Sequence, residues 1–509
     1  MDGPLDPRPP SAPASSVKIV LVNPPSPPEY RVSRGLMGGF GMAVNPELLY
    51  PPIELAHVAG LLEHEGHEVV IFDGDAVDAD VAAARKAIVA EAPDFVLLDS
   101  SSTSLTQDLG LAGDVRADLG VPVFMLGSQV TYTPDDLFQN SSIDGVVRGE
   151  PEHTVSEVAA RIAGGSRTYE DIAGVTWADA DGAVHQEAER DKIKDLDDLP
   201  IPSRHLLKNG VYKFPGLDGP VTTVKSSRGC PLNCSFCGYT LAQGLRFRFR
   251  SPEHVVQELV DLHKNHGLKY VVFRDPIFTT RKDRVMDICD GILREGLDLE
   301  WQCETAVKTL SPELLEKMAE AGCTHISLGI ESGNAEIQKK HCGNKLNKLD
   351  QAKEVFEVCR RVEVAELTKE QLDWDELRVA AAGGECAQRQ LEQGVKWHWV
   401  LLVGVVVQLA SRVSVSPEDC DQLPRTSVLA APSAHDALPT DSFLPSRQWS
   451  QSVQSPGGTM TSTVSPARRP APPYPGPSAG RGWPGIDPMM ERMSALRLLR
   501  TDQRHGAPS

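Results

Sequence analysis

Three cysteines, Cys230, Cys234 and Cys237, have a spacing in the sequence that is typical of metal ligands. They form a C-x3-C-x2-C pattern on a loop with glycine and proline, directly after an apolar run that is typical of a strand. Three thiolates at this spacing can hold a 4Fe–4S cluster and leave its fourth iron open to a substrate or cofactor. Two alternatives stay open from spacing alone. One is a structural zinc site, although no second pair of cysteine or histidine ligands follows at zinc-finger spacing, and the other is a loop with coincidental cysteines.

Length and charge restrict the classes of function. The chain has 509 residues, enough for about three domains. Its 51 basic and 70 acidic side chains give a net charge of −19, which argues against nucleic acid as a partner because phosphate binding needs a basic surface. Ten cysteines in so long a chain do not indicate a disulfide scaffold. Residues 1–16 lack the apolar core of a secretory signal and no run reaches the ~18 apolar residues of a membrane span, so we predict a cytoplasmic protein without a membrane partner.

The first half of the chain alternates short apolar runs with helical patterns. This alternation predicts a doubly wound α/β fold, a parallel sheet with helices on both faces, in which ligands bind beyond the carboxyl ends of the strands. The predicted strands are residues 17–23, 67–73, 95–100, 121–127 and 143–148, and the predicted helices are residues 53–65, 77–90, 105–119 and 152–163. The loops expected to face a ligand are residues 24–52, 100–106, 127–133 and 149–153.

A second β/α series follows a predicted hairpin (174–186) and an acidic, proline-containing linker (195–202). Its four units predict a partial (β/α) barrel with its chemistry at the carboxyl ends of the strands. The predicted strands are residues 221–225, 270–274, 299–304 and 325–330, and the predicted helices are residues 252–266, 283–295, 311–321 and 349–361.

The cysteine loop resembles that of the radical S-adenosylmethionine (radical SAM) superfamily, with Phe236 as the aromatic residue before the third cysteine. The resemblance implies that the open iron of the 4Fe–4S cluster binds SAM, and that an electron from the cluster cleaves SAM to a 5′-deoxyadenosyl radical. It implies an external electron donor of the flavodoxin or ferredoxin type. The SAM-binding residues that it implies are Phe236, Gly238, Asp275, Glu331 and Ser332. The alternative for Asp275 is a strand-end residue that caps the next helix.

Residues 17–205 resemble the cobalamin-binding domain that precedes the radical SAM domain in one large subfamily. The resemblance rests on short motifs, among them 23–25, 50–52, 100–104, 127–129 and 147–152. It implies that small and hydroxyl side chains at the strand ends contact cobalamin, namely Ser101, Ser102, Thr103, Gly127, Ser128, Gln129, Gly149 and Glu150. The D-x-H-x-x-G motif, whose histidine ligates cobalt, is absent, and His64 and His67 lie in the wrong frame for it. Cobalamin bound here would therefore lack a histidine ligand from that motif. The alternative to a cobalamin-binding domain is a vestigial domain that binds no cofactor.

Together the two resemblances imply a cobalamin-dependent radical SAM enzyme. The leading prediction is a methyltransferase that acts on an unactivated carbon, or on phosphorus, of a small-molecule intermediate in natural product biosynthesis. The first alternative is a radical SAM enzyme that catalyses an oxidative cyclisation or a rearrangement. The second is a truncated or frameshifted member without catalytic activity. Methylthiotransferase activity is disfavoured because no cysteine precedes Cys230 to hold a further cluster.

The β/α pattern stops after about Val362, and no fifth or sixth barrel strand is recognisable. We therefore predict six segments: a disordered N-terminus (1–16), a cobalamin-binding-like domain (17–165), a hairpin and linker (166–215), a radical SAM domain (216–362), an irregular segment (363–412) and a Pro/Ser-rich disordered tail (413–509). Our hypothesis is that the chain beyond Val362 replaces the family's C-terminus through a frameshift or fusion. Translating the coding DNA in its other frames tests this, and the hypothesis fails if neither frame restores barrel strands.

Overall fold

A computed structural model describes residues 16–138, 142–215, 217–232, 234–331, 335–343, 345 and 349–362. All of them fall within one compact unit of the chain, Met1–Ala431. The segments predicted for residues 363–412 and 413–509 lie outside the described residues, as does nearly all of the predicted N-terminal segment 1–16. Among the described residues, no helix is both long enough and apolar enough to span a membrane.

The first part of the fold is a seven-stranded sheet with helices on both faces. Its five parallel strands have the order β4-β1-β5-β6-β7, and the antiparallel strands β8 and β9 extend one edge. The elements are β1 (Lys18–Asn23), β2 (Arg31–Ser33), β3 (Met42–Val44), α1 (Ile53–His64), β4 (Glu68–Asp73), α2 (Val81–Ala90), β5 (Phe95–Asp99), α3 (Leu105–Leu119), β6 (Val123–Leu126), α4 (Ser128–Tyr132), α5 (Pro134–Phe138), β7 (Gly145–Val147), α6 (Glu152–Ala163), β8 (Val175–Ala178) and β9 (Val184–Gln186). The doubly wound fold predicted from the sequence is therefore confirmed.

The near-continuous apolar strands explain why this sheet is covered on both sides. Side chains of β1 and β5 alternate between two separate apolar cores, so that Ile19 packs into one core and Val20 into the other. Helices α1 and α6 cover one face, and α2 and α3 cover the other. Both faces exclude water, and the polar loops at the strand ends remain as the surface where a ligand can bind.

The second part of the fold is a four-stranded parallel sheet whose order, β10-β13-β14-β15, follows the chain. Sequential parallel strands with intervening helices are the start of a (β/α) barrel, as predicted. Its elements are β10 (Val221–Val224), β11 (Ser227–Arg228), α7 (Tyr239–Gln243), β12 (Arg248–Phe249), α8 (Pro252–Val260), β13 (Tyr270–Phe273), α9 (Lys282–Arg294), β14 (Glu300–Thr305), α10 (Pro312–Glu320), β15 (Cys323–Leu328), α11 (Ala335–His341) and α12 (Leu349–Arg361).

Three local predictions were wrong. Helix α2 begins at Val81 rather than at residue 77, because the Asp80 side chain accepts a hydrogen bond from the Ala83 amide (2.7 Å) and caps the helix there. The helix predicted for 252–266 changes to a π-helical turn after Val260. The loop predicted for 127–133 contains the short helix α4.

The linker between the two sheets is packed rather than extended. Its Leu196 and Leu199 join Leu61 of α1 in a small apolar cluster. Further along, Arg204 is almost fully buried and shares the carboxylate of Glu258 with Arg250. Burial raises the pKa of Glu258, but the charges of the two arginines outweigh burial and hold it below its usual value. The linker is thus tied to α8 by a buried Arg–Glu–Arg triad.

We predict that Glu258→Gln lowers the free energy of unfolding of the full chain by about 3–5 kcal/mol, because both arginines lose a buried counter-charge. Urea unfolding at neutral pH measures this change. The control is Glu253→Gln on the exposed face of the same helix, which should cost less than about 1 kcal/mol. Equal effects of the two substitutions would contradict a stabilising role of the triad.

Candidate functional site

The cysteine loop lies between β11 and α7, beyond the carboxyl end of β10. Cys230 and Cys234 are buried, Cys237 is partly buried, and all three are free thiols. Gly229 has a φ of 88°, and a Cβ there would lie 2.0 Å from the Arg246 carbonyl oxygen, so only glycine fits before Cys230. The Cys230 amide donates to the Gly244 carbonyl (3.0 Å) and closes the loop.

The three thiols lie close enough for the charge of one to affect the pKa of another. Burial raises the pKa of the Cys230 thiol, and negative charge on Cys234 or Cys237 raises it further. Mutual repulsion of this kind is relieved when iron binds thiolates, so the set fits a 4Fe–4S cluster chemically. Among the described residues, no three histidine, cysteine, aspartate or glutamate side chains are grouped to hold a single metal ion. Cysteines that bind different irons of one cluster do not need to converge on one point.

Asp275 anchors the base of the cysteine loop. It is fully buried, and its carboxylate accepts hydrogen bonds from the Ser226 amide (3.1 Å), the Ser226 hydroxyl (2.9 Å) and the Ser227 hydroxyl. The alternative that Asp275 caps the next helix is wrong, since the residue preceding α9 is Arg281 and makes no side-chain cap. Its contact with SAM stays a prediction, because the structure directs its oxygens to the two serines that lead into the loop.

Two of the predicted SAM residues are joined by a residue that the sequence analysis missed. The Lys345 ammonium lies 2.6 Å from Glu331 Oε1 and 5.6 Å from the centre of the Phe236 ring. Glu331 has a φ of 61°, an unusual backbone conformation for a residue other than glycine. Ser332 lies outside the described residues. Nothing in the local sequence indicates Lys345, because its partners come from distant segments.

Cys342 is a second residue beside the site that the spacing of cysteines in the sequence does not indicate. It is buried directly after α11, and the preceding residue, His341, accepts a hydrogen bond through its carbonyl from the Ser235 amide (2.9 Å). Burial raises the pKa of the Cys342 thiol to about 11, and charges on Glu331 and Cys234 raise it as well. A fourth thiol therefore lies beside the cysteine loop, although the sequence places it far from the C-x3-C-x2-C pattern.

The predicted cobalamin contacts after β5 and β6 share one edge of the first sheet. Ser101 Oγ lies 2.8 Å from Ser104 Oγ, and Ser102 donates from its amide (2.9 Å) and hydroxyl (2.8 Å) to the Phe40 carbonyl. Thr103 Oγ1 lies 3.1 Å from Ser101 Oγ. These hydroxyls form a tight polar group at the end of β5.

The end of β6 provides the second part of this edge. A Cβ on Gly127 would lie 2.1 Å from the Ser100 carbonyl oxygen, so the adjacent loops touch through backbone alone. Ser128 donates its hydroxyl to the Gly38 carbonyl (2.6 Å). Gln129 donates to Thr133 Oγ1 (3.3 Å), while its buried Oε1 has no hydrogen-bond partner among the described residues. A buried acceptor of this kind fits the amide groups that surround a corrin.

Gly149 and Glu150, the remaining two predicted cobalamin contacts, are bonded to residues of other elements of the fold. The Gly149 amide donates to Thr131 Oγ1 (3.1 Å), which ties the end of β7 to α4. Glu150 is buried and ion-paired with Arg248 (2.6 Å), and it accepts a hydrogen bond from the Ile193 amide (2.8 Å). A buried carboxylate requires such partners, and here Arg248 comes from the second part of the fold and Ile193 from the linker. Glu150 therefore joins the two parts, and its contact with cobalamin stays a prediction.

A glycine-rich loop, residues 35–41, lies between the sheet edge and the cysteine loop. On one side its carbonyls accept the hydrogen bonds from Ser102 and Ser128. On the other side it touches the segment after the cysteines, where a Cβ on Gly238 would lie 3.1 Å from the Phe40 ring. Gly41 has a φ of 76°, and a Cβ there would lie 2.4 Å from Ser101 Cβ, so glycine is required.

Buried charges hold the start of the glycine-rich loop. Arg34 pairs with Asp108 (2.8 Å), and both side chains are almost fully buried. Asp99, at the end of β5, lies beside this pair. Burial and the nearby Glu54 carboxylate raise the pKa of Asp99 to about 8, although Arg34 lowers it.

The comparisons with known proteins agree with this arrangement. The family model of the radical SAM superfamily matches residues 224–369, and that of the B12 binding domain matches residues 41–159. A methyltransferase of Pyrococcus horikoshii, itself described as uncharacterized, is 36% identical over 324 residues, which cover 63% of this chain and 67% of that protein. This chain belongs to the radical SAM superfamily. Within it, the chain belongs to the cobalamin-dependent members, which carry a B12-binding domain before the radical SAM domain.

One further relative and one structural neighbour of this radical SAM protein differ in reaction. An anaerobic magnesium-protoporphyrin IX monomethyl ester cyclase of Rubrivivax gelatinosus is 27% identical over 332 residues, which cover 64% of this chain and 58% of the cyclase. The structure of the radical SAM methyltransferase TsrM from Kitasatospora setae, with cobalamin and a 4Fe–4S cluster bound, aligns with a TM-score of 0.53. That alignment covers 69% of this chain and 65% of TsrM at 18% identity, so it supports the fold.

We predict that Asp99 makes the stability of this radical SAM protein depend on pH. Its pKa rises on folding from 3.8 to about 8, so the folded state keeps a proton that the unfolded state loses. The free energy of unfolding that Asp99 contributes is therefore fully present below pH 3.8 and is lost as the pH rises to about 8. Asp99→Asn should be more stable than the wild type at pH 8, by on the order of 5 kcal/mol, because a pKa difference of one corresponds to about 1.4 kcal/mol.

Urea unfolding at several pH values up to 8 checks this prediction, with Asp298→Asn at an exposed position as the control. The control should keep the wild-type slope of stability against pH, and Asp99→Asn should flatten it. Parallel profiles for the wild type and Asp99→Asn would show that Asp99 does not hold the proton.

Proposed function

We propose that this protein transfers a methyl group from SAM to an unactivated carbon, or to phosphorus, of a small-molecule intermediate. The main support for this proposal is that one glycine-rich loop contacts both the cysteine loop and the carboxyl edge of the B12-type sheet. When bound, the cluster supplies the electron that cleaves SAM, and cobalamin carries the methyl group. The methyltransferase relative at 36% identity supports methyl transfer.

In this proposal the chain's own residues have distinct tasks at the cluster. Cys230, Cys234 and Cys237 bind iron as thiolates. The Lys345 ammonium, held by Glu331, places a positive charge near two of these sulfurs, and such a charge favours the thiolate. Asp275 is a positioning residue, because it holds the two serines at the base of the loop.

Charged side chains at the carboxyl ends of the barrel strands support a polar small-molecule substrate. Lys225, after β10, pairs with Glu54 of α1, and Arg274, after β13, pairs with Glu304 of β14. The Arg274 guanidinium also lies 5.4 Å from the centre of the Tyr50 ring. These groups come from both parts of the fold and offer ionic and hydrogen-bonding contacts to a substrate between them.

We also propose a flavodoxin- or ferredoxin-type electron donor and a cytoplasmic location. All eight cysteines among the described residues are free thiols, which fits a reducing compartment. A cluster that reacts through reduction needs an electron from a donor outside the chain.

Oxidative cyclisation or rearrangement is the second candidate, and it is favoured by the resemblance to the anaerobic cyclase. The same cysteines and the same sheet edge would serve both reactions. The two candidates differ in products, because methyl transfer from SAM releases S-adenosylhomocysteine, whereas the second reaction releases 5′-deoxyadenosine without it.

We predict that anaerobic reconstitution of the full chain with iron and sulfide forms a cluster that is lost in Cys230→Ala, Cys234→Ala and Cys237→Ala. Visible absorption and iron content measure the loss. Cys289→Ala is the matched control, because that thiol is buried in the apolar core. With SAM, cobalamin and a reductant, the wild-type protein should release both 5′-deoxyadenosine and S-adenosylhomocysteine, and release of 5′-deoxyadenosine alone would favour the second candidate. An intact cluster without SAM cleavage would support the non-catalytic alternative.

We predict that Gln129→Ala weakens cobalamin binding about tenfold, the effect of losing about one hydrogen bond in the buried site. Equilibrium dialysis with hydroxocobalamin measures the dissociation constant. Gln257→Ala, on the exposed face of α8, should bind like the wild type. A wild-type chain that retains no cobalamin would favour a vestigial B12-type domain.

A further inference from the structure

A small cavity lies where α1, the linker and the first strands of the barrel meet. Its volume is about 10 Å³, which gives room for one water-sized occupant. Three apolar residues of the linker and five side chains that carry or can accept a positive charge line it, namely Leu196, Leu199, Pro200, His57, Lys225, Arg228, Arg250 and His254. Among the described residues, no carboxylate side chain lines this cavity. One side of it is therefore apolar, and the other side carries charge of one sign.

His57, in the second turn of α1, faces this cavity with an unpartnered ring. It is 6% exposed, and neither ring nitrogen has a hydrogen-bond partner among the described residues. Burial lowers the pKa of the imidazole well below its usual value, and four nearby cations lower it further, namely Arg228, Arg250, Arg204 and Lys225. The ring is therefore neutral at neutral pH and has one N–H donor. A buried donor requires an acceptor, so the cavity favours an occupant that accepts a hydrogen bond.

The charge of the wall favours an anion over a neutral occupant. Each of its three cations has a carboxylate partner that does not line the cavity, and the pairs are Lys225 with Glu54, Arg228 with Glu152, and Arg250 with Glu258. These pairs allow the cations to be buried and leave the cavity side positive. A water molecule would accept the hydrogen bond of His57 but would gain little from the cations. An anion gains from both, because charges attract more strongly where water is excluded.

We propose that this cavity binds a single chloride ion. Chloride is close to water in size, accepts hydrogen bonds and carries the charge that the wall attracts, whereas phosphate and sulfate are too large for this volume. The ion accepts the N–H of His57 and lies between α1 and the cations Lys225 and Arg228. Because Arg228 immediately precedes Gly229 and the first cysteine, the chloride fixes the base of the cysteine loop against the B12-type domain. The inference is independent of the reaction that the protein catalyses.

The first test measures the melting temperature of the full chain while sodium chloride replaces sodium gluconate at constant ionic strength. Gluconate is too large for the cavity, and constant ionic strength keeps the screening of surface charges unchanged. An ion that binds only the folded chain stabilises it, so chloride should raise the melting temperature of the wild type by about 2–4 °C. His57→Phe removes both ring nitrogens and keeps an aromatic ring, and this variant should show no chloride-dependent rise.

His64→Phe is the matched control, because it makes the same change at an exposed position of the same helix, and it should respond to chloride like the wild type. Equal melting temperatures of the wild type in chloride and gluconate would overturn the proposal. A chloride response that His57→Phe retains would overturn it as well, because the ion would then bind elsewhere.

A second measurement needs no variant and decides the question if His57→Phe does not fold. Crystals of the wild-type chain are soaked in bromide, which replaces chloride and is located by its anomalous scattering. We expect a bromide peak in the cavity, within hydrogen-bond distance of a His57 ring nitrogen. Density for water without an anomalous peak at this position would overturn the proposal.

Discussion

Buried ion pairs between the two parts of the fold fix the position of the cysteine loop, and the rest of the site is arranged around that loop. Arg228 immediately precedes Gly229 and the first cysteine, and its guanidinium pairs with Glu152 at the start of α6. Arg248, after the cysteine loop, pairs with Glu150 in the same way. Because water is excluded, loss of any one partner would leave an uncompensated buried charge. Both ends of the cysteine loop are thereby fixed against the B12-type domain, so the two cofactor sites are positioned together.

The glycine-rich loop lies between the same two parts, since it contacts the edge of the first sheet on one side and the cysteine loop on the other. Glycine is necessary at position 41, where a Cβ would lie 2.4 Å from Ser101 Cβ, and a Cβ on Gly238 would make a tight contact of 3.1 Å with the Phe40 ring. Its carbonyls accept the hydrogen bonds of Ser102 and Ser128, two of the predicted cobalamin contacts. One loop therefore connects the sheet edge with the segment after the cysteines through direct contacts.

The sequence was sufficient for features that depend on local pattern. Alternating apolar strands and helices predicted both sheets, and the cysteine spacing predicted the cluster loop, because each signal lies within a few neighbouring residues. Features that depend on distant partners could not be predicted. Lys345 is recognisable only beside Glu331 and Phe236, and Cys342 only beside the cysteine loop. Glu150 lies in a motif of the cobalamin-binding domain, but its position in the structure depends on an ion pair with Arg248. The sequence alone does not predict that ion pair.

In the proposed enzyme, one chain holds a SAM-binding cluster and cobalamin side by side. Mössbauer spectroscopy of the anaerobically reconstituted full chain, with corrin content measured on the same sample, tests this arrangement. We expect one 4Fe–4S cluster and one corrin per chain, with the signal of a single iron changing when SAM is added. A cluster whose irons do not respond to SAM, or a reconstituted chain that retains no corrin, would contradict it.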